Sequence, residues 1–135
     1  MKIVSLIALF ASLGAFNVGV AQAQSPDIGE SLFTGYCAAC HGVDAKGGGD
    51  MSNVMTIPAP NLTLLAQRND GAFPMLNVIH IIDGRTGVRS HGGPMPIFGQ
   101  AFSSSDPRDE NPYGSVLEVR GRVLSLAMYL ETIQQ

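Results

Sequence analysis

Hydrophobic residues fall along this chain in patterned stretches separated by segments rich in glycine, proline and serine. The first, Ile3 to Val20, is mostly apolar and broken by Ser5, Ser12, Gly14, Asn17 and Gly19. The second places Ile28, Leu32, Phe33 and Tyr36 at helical spacing, which predicts a helix from Asp27 to Cys40 started by Ser25-Pro26-Asp27. The third has two parts. Asn61 caps a short helix over Leu62, Leu64 and Leu65 that ends before Gly71. Pro74 then opens a helix carrying Met75, Val78, Ile79 and Ile82, with Gly84 as its stop. The density of β-branched residues in Val78–Ile82 leaves a buried strand as the alternative there. In the last stretch, Ser115-Val116-Leu117-Glu118 reads as a capping box. Val116, Val119, Val123, Ala127 and Leu130 form one stripe, widened by Leu117, Leu124 and Met128.

Two glycines fall inside these helical patterns. Gly121 costs about 1 kcal/mol relative to alanine. Gly29 leaves two readings open, a close approach by another backbone or a frayed first turn. Between the helices, Gly42 to Asp50 turns the chain, and Gly47-Gly48-Gly49 permits backbone close to a flat ligand. Phosphate cradling fails as an explanation of these glycines, because no strand precedes them and no G-K-[ST] follows. Met51 to Pro60 reads as loop, with Pro58-Ala59-Pro60 extended. Arg85 to Pro112 has little periodicity; its apolar island Met95-Pro96-Ile97-Phe98 favours a functional loop, and Ser103-Ser104-Ser105-Asp106-Pro107 an exposed one.

The leading apolar run changes the compartment. Lys2, the run itself and Ala21-Gln22-Ala23 together read as a cleaved secretory signal over residues 1–23, against an uncleaved membrane anchor as the alternative. Residues 24–135 are then the folded domain, with no membrane span after cleavage. That domain keeps seven basic and eleven acidic side chains, a net of −4. An acidic balance excludes nucleic acid as a partner class, since that needs a basic patch. It suits a redox partner with a positive docking surface.

Both cysteines of the chain lie in Cys37-Ala38-Ala39-Cys40-His41. On a helix, positions i, i+3 and i+4 share a face, so the two thiols and the imidazole project together. C-x-x-C-H is the spacing that attaches a c-type haem covalently, through two thioethers and one iron-bound imidazole. Two other chemistries use the same residues. A redox dithiol expects a preceding strand in a βαβ pattern, which is missing. Zinc expects a second ligand pair and would have to recruit His80 or His91. An exported chain also gains little from a disulfide closing so short a loop.

Iron held by His41 leaves a sixth position to fill. The candidates are Met51, Met55, Met75, Met95 and Met128, with His80 and His91 as imidazole alternatives. Met128 and Met75 sit on apolar helix faces. Met95 lies between Pro94 and Pro96, which stiffen the backbone on both sides and hold a sulfur in place with little entropy left to lose. Met95 is therefore the expected distal ligand.

At this point the chain resembles the small monohaem class I c-type cytochromes of bacteria, over most of residues 27–133. Cys37-Ala38-Ala39-Cys40-His41-Gly42 matches the haem motif, and Gly29 and Phe33 the small and aromatic positions of the N-terminal helix. Pro60-Asn61-Leu62 is similar to the P-x-L element, and Met95-Pro96-Ile97-Phe98-Gly99 to the distal M-P-x-[FW]-G loop. Tyr129-Leu130 matches a pair on the C-terminal helix. The longer interval from His41 to Pro60 and the segment from Ile82 to Gly93 depart from the family pattern, which leaves Pro58 as a competitor to Pro60.

The resemblance implies an all-α fold, cytochrome c-like, of three to five helices around one covalent haem c, with crossed N- and C-terminal helices. It implies that Cys37 and Cys40 carry the thioethers and that His41 and Met95 are the axial ligands. The Pro60 carbonyl would accept a hydrogen bond from His41, and Arg85, Arg89 or His91 could neutralise a haem propionate. The expected function is one-electron transfer in the periplasm to and from redox partner proteins (a dehydrogenase, reductase or oxidase), without substrate turnover. The alternatives are a haem-bearing subunit of a dehydrogenase or oxidase complex, or an open-site, peroxidase-like enzyme.

Overall fold

The computed structural model describes residues 26–84, 95–102 and 112–135. The expected signal of residues 1–23, Arg85, Arg89, His91 and the Ser103–Pro107 loop lie outside the described residues. Within them the chain forms five α-helices and three short 3-10 turns, and no strand. The helices are α1 (Pro26–Tyr36), α2 (Ala38–His41), α3 (Met75–Asp83), α4 (Phe98–Ala101) and α5 (Pro112–Thr132). The fold is all-α, as expected, and Val78–Ile82 lies in helix α3 rather than in a strand.

Helix α1 begins at Pro26, a residue suited to a first turn because its missing N–H needs no partner there. It does not run through to Cys40. The Cys37 N–H bonds the Phe33 carbonyl at 2.8 Å and the His41 N–H the Cys37 carbonyl at 2.9 Å, both in the helical i−4 pattern, but the Cys40 N–H takes the i−3 carbonyl of Cys37, at 3.1 Å. That shorter bond tightens the turn, and α2 starts as a separate element with Cys37 at its N-cap.

Helix α5 starts three residues before the expected capping box, with Pro112 at its first position and Ser115 already inside it. Val119, Val123, Ala127 and Leu130 are buried as the stripe predicts, but Val116, its first member, is 38% exposed. Leu117 and Leu124 do not widen it, being 69% and 36% exposed. The buried face turns the other way, taking in Ser125 and Leu126. The reason is α1, which packs against that side. A Cβ on Gly29 would run into the Ser125 carbonyl and lie 2.6 Å from Tyr129 Cβ. Gly29 is thus the point where two helix backbones meet, and the frayed-turn reading falls away. One turn on, Phe33 is 1% exposed and its ring stacks at a tilt on Tyr129, centroids 5.5 Å apart. Ile28 and Tyr36, expected on the same apolar side, are each 48% exposed.

Phe102, fully buried, closes the other side of the core. Its ring meets Phe98 at 5.5 Å and the edge of Tyr36 at 5.2 Å. Arg122 of α5 donates to the Phe102 carbonyl at 3.1 Å and pairs with Glu118 one turn back. Helix α4 and the end of α1 are thereby fastened to α5. Helix α3 starts after Pro74 and stops at Gly84, as expected. The Asn61 side chain accepts from the Thr63 N–H at 2.8 Å and caps a 3-10 turn over Leu62–Leu64. The Met51–Pro60 segment, expected to be loop throughout, contains a 3-10 turn from Asp50 to Val54, supported by Ser52 Oγ donating to the Gly49 carbonyl at 2.5 Å. No helix of the described residues is long and apolar enough to cross a membrane.

Candidate functional site

The break at Cys37 places the motif. Cys37 stands at the head of α2, and Cys40 and His41 lie within its single turn. Both thiols are free; Cys37 is buried and Cys40 half-buried. Burial, reinforced by the neighbouring Cys40, pushes the Cys37 thiol up to about 12. An exchange-active dithiol needs the opposite shift, because the thiolate is the nucleophile. Among the described residues no three His, Cys, Asp or Glu side chains converge where they could hold a metal ion; His91, one of the two imidazoles a zinc site would recruit, lies outside them.

His41 is 7% exposed. Its Nδ1 lies 3.2 Å from the Pro60 carbonyl, so that nitrogen carries the proton and donates it. Nε2 has no hydrogen-bond partner among the described residues and is left with a free lone pair. Pro60, not Pro58, makes this contact. It can do so because the chain between them closes tightly: Gly47 donates to the His41 carbonyl at 2.7 Å, and Leu62 to the Ala45 carbonyl at 2.8 Å. Gly47 has φ +94°, and a Cβ there would sit 2.6 Å from the Ala59 carbonyl, so only glycine fits under the Ala59-Pro60 strand of chain.

Burial lowers the His41 pKa below its ordinary 6.5, more than the Pro60 hydrogen bond raises it. Below 6.5 the unfolded ring takes up a proton that the folded, iron-free one resists, so without iron on Nε2 the folded state loses stability as pH falls through that window.

Met95 is half-buried against the hydrophobic core and lies outside any helix, three residues before α4. Met75, in α3, is buried to a similar degree, as is Met128 in α5, whereas Met51 is 47% exposed. Burial alone does not separate Met95 from Met75; what sets Met95 apart is its place in a segment held by Pro96 rather than in a helix face. His80 is half-buried in α3, while His91 and Arg85 lie outside the described residues. Leu32, Leu62, Leu65, Phe73 and Ile79 pack on the same core while remaining only half-buried.

These residues fit a haem. The imidazole is orientated through one nitrogen, the other has no partner among the described residues, two free thiols lie three positions apart, and a thioether rests on the hydrophobic core. A family model described as Cytochrome c matches residues 26–109, a span that opens with α1 and takes in the motif, Pro60 and Met95. The chain belongs to the cytochrome c family. No individual curated protein and no solved structure matches it. Membership makes this a haem-bearing electron-transfer protein of the small c-type cytochrome class.

One set of contacts was hidden in the sequence. The side chain of Gln134 bonds the backbone at Leu62, Ala66 and Leu130. No spacing or motif marks it, since two of the three partners are main-chain groups far away along the chain.

Proposed function

We propose that this cytochrome is a one-electron carrier working in the periplasm after removal of residues 1–23, exchanging electrons with redox partner proteins through a single haem c. The observation that carries the reading is the His41 ring, fixed through Nδ1 by the Pro60 carbonyl, with no partner for Nε2 among the described residues. When bound, the haem supplies the one-electron couple, its iron alternating between ferric and ferrous.

The chain's own residues do the rest. Cys37 and Cys40 hold the cofactor by thioether bonds. His41 presents a neutral nitrogen, and burial keeps it neutral. Met95 would supply a soft thioether donor to the iron, which favours a high potential and electron transfer over substrate binding. The half-buried apolar side chains exclude water, so little solvent must reorganise when charge moves.

The test is the visible spectrum of the exported protein, oxidised and then reduced. Sharp reduced c-type bands together with the weak far-red band of sulfur-ligated ferric haem are expected. Haem bands without the far-red feature would point instead to bis-histidine or open-site iron, and absence of haem from cells able to attach it would return the motif to dithiol chemistry. Cys40→Ala should leave haem on one thioether or lose it altogether, read by mass spectrometry of the denatured protein; two retained thioethers would refute the attachment assignment.

A further inference from the structure

Gln134 is half-buried, and all three of its side-chain hydrogen bonds go to backbone. Oε1 accepts from the Ala66 N–H at 2.9 Å, and Nε2 donates to the carbonyls of Leu62 at 2.9 Å and Leu130 at 2.6 Å. Beside it, the Gln135 N–H donates to the Thr63 carbonyl at 3.0 Å. The Leu62–Ala66 segment is therefore stapled to the end of α5. Its other side is tied to the glycine loop of the haem motif through Leu62 N–H and the Ala45 carbonyl, at 2.8 Å. Two residues before Leu62 is Pro60. Asn61, between them, is stiffened by accepting from both the N–H and the Oγ1 of Thr63, at 2.8 and 2.7 Å.

We infer that Gln134 is a positioning residue for the proximal imidazole: by fixing Leu62 and Ala66, it sets where the Pro60 carbonyl stands against His41 Nδ1. The inference rests on the proposed role of His41 as iron ligand. A carbonyl accepting from Nδ1–H raises the basicity of Nε2. A more basic ligand favours the ferric state and lowers the potential. Releasing the staple lets the Pro60 carbonyl drift, weakens that hydrogen bond and raises the potential.

The experiment compares three variants of the haem-loaded protein. Gln134→Ala removes the staple. Gln134→Met removes its polar atoms while keeping its length, in case the truncated variant fails to fold. Thr132→Ala is the control, since Thr132 Oγ1 donates only to the Tyr129 carbonyl, at 2.7 Å, within the same turn of α5. Reduction potential and solvent exchange of the His41 Nδ1–H, followed by NMR, are the readouts.

Both Gln134 variants should shift the potential upward and speed ring-proton exchange several-fold, with Thr132→Ala matching the wild type. Gln134 variants that keep the wild-type potential and exchange rate, even with a lowered Tm, overturn the proposal and leave Gln134 a structural fastening. A wild-type His41 ring without iron-induced NMR shifts fails differently: it removes the proximal-ligand reading itself.

Discussion

Replacing Met95 with alanine should open the sixth coordination position, abolish the far-red band and lower the reduction potential. Axial ligands move haem potentials over a range of roughly 0.8 V, and loss of a thioether opposite imidazole should cost on the order of 0.1 V. Added cyanide or carbon monoxide should bind the variant rapidly and the parent slowly. Fold stability should suffer less, because Met95 is only half-buried and flanks the core rather than filling it. The same spectra on Met75→Ala provide the contrast, since Met75 has similar burial but sits on α3. If Met75→Ala removes the far-red band and Met95→Ala leaves it, the distal assignment passes to α3. An unchanged potential in Met95→Ala would equally sink it.

The second large effect is on stability. Gly29→Ala drives a methyl group into the Ser125 carbonyl and against Tyr129 Cβ, both on α5. Neither partner can swing aside: one is backbone and the other is the first atom of its side chain. The helices must separate, at a cost of about 1–3 kcal/mol. For a domain of this size that corresponds to a Tm fall on the order of 10 °C. Gly35→Ala, two turns along the same helix, is the informative partner. No atom lies within 4 Å of a Cβ built there, so alanine should stabilise by up to about 1 kcal/mol through helix propensity alone. Opposite signs at two glycines of one helix would identify close backbone approach as the cause. Equal losses at both would mean that α1 tolerates no change for some other reason.

Much of this was legible in the sequence because the deciding signals are local. Pro26 and Gly84 mark helix ends by their own backbone constraints, and Asn61 caps the turn that begins one residue later. C-x-x-C-H is a contiguous motif, and Gly29 advertised an anomaly by sitting where a helix former belongs. The departures share a different character. Periodicity placed Leu117 and Leu124 on the buried face of α5, but that face is chosen by α1, which no local pattern encodes. The capping-box motif at Ser115 was outcompeted by Pro112 upstream. At Cys37 the Cys40 N–H takes the i−3 carbonyl in place of the helical i−4 one, a choice invisible in residue types. Gln134 was missed because an amide that bonds distant main chain leaves no trace in its own neighbourhood.

The meeting of Gly29 with Ser125 also has a consequence in time. The two residues stand near opposite ends of the described chain, so their contact closes the longest loop in the fold and pays its entropy before it is rewarded. On the proposed route of export, a chain emerging first residue leading cannot make this contact until α5 has followed. The fold thus completes last at the contact that joins its two ends, and the proposed thioethers have that interval in which to form.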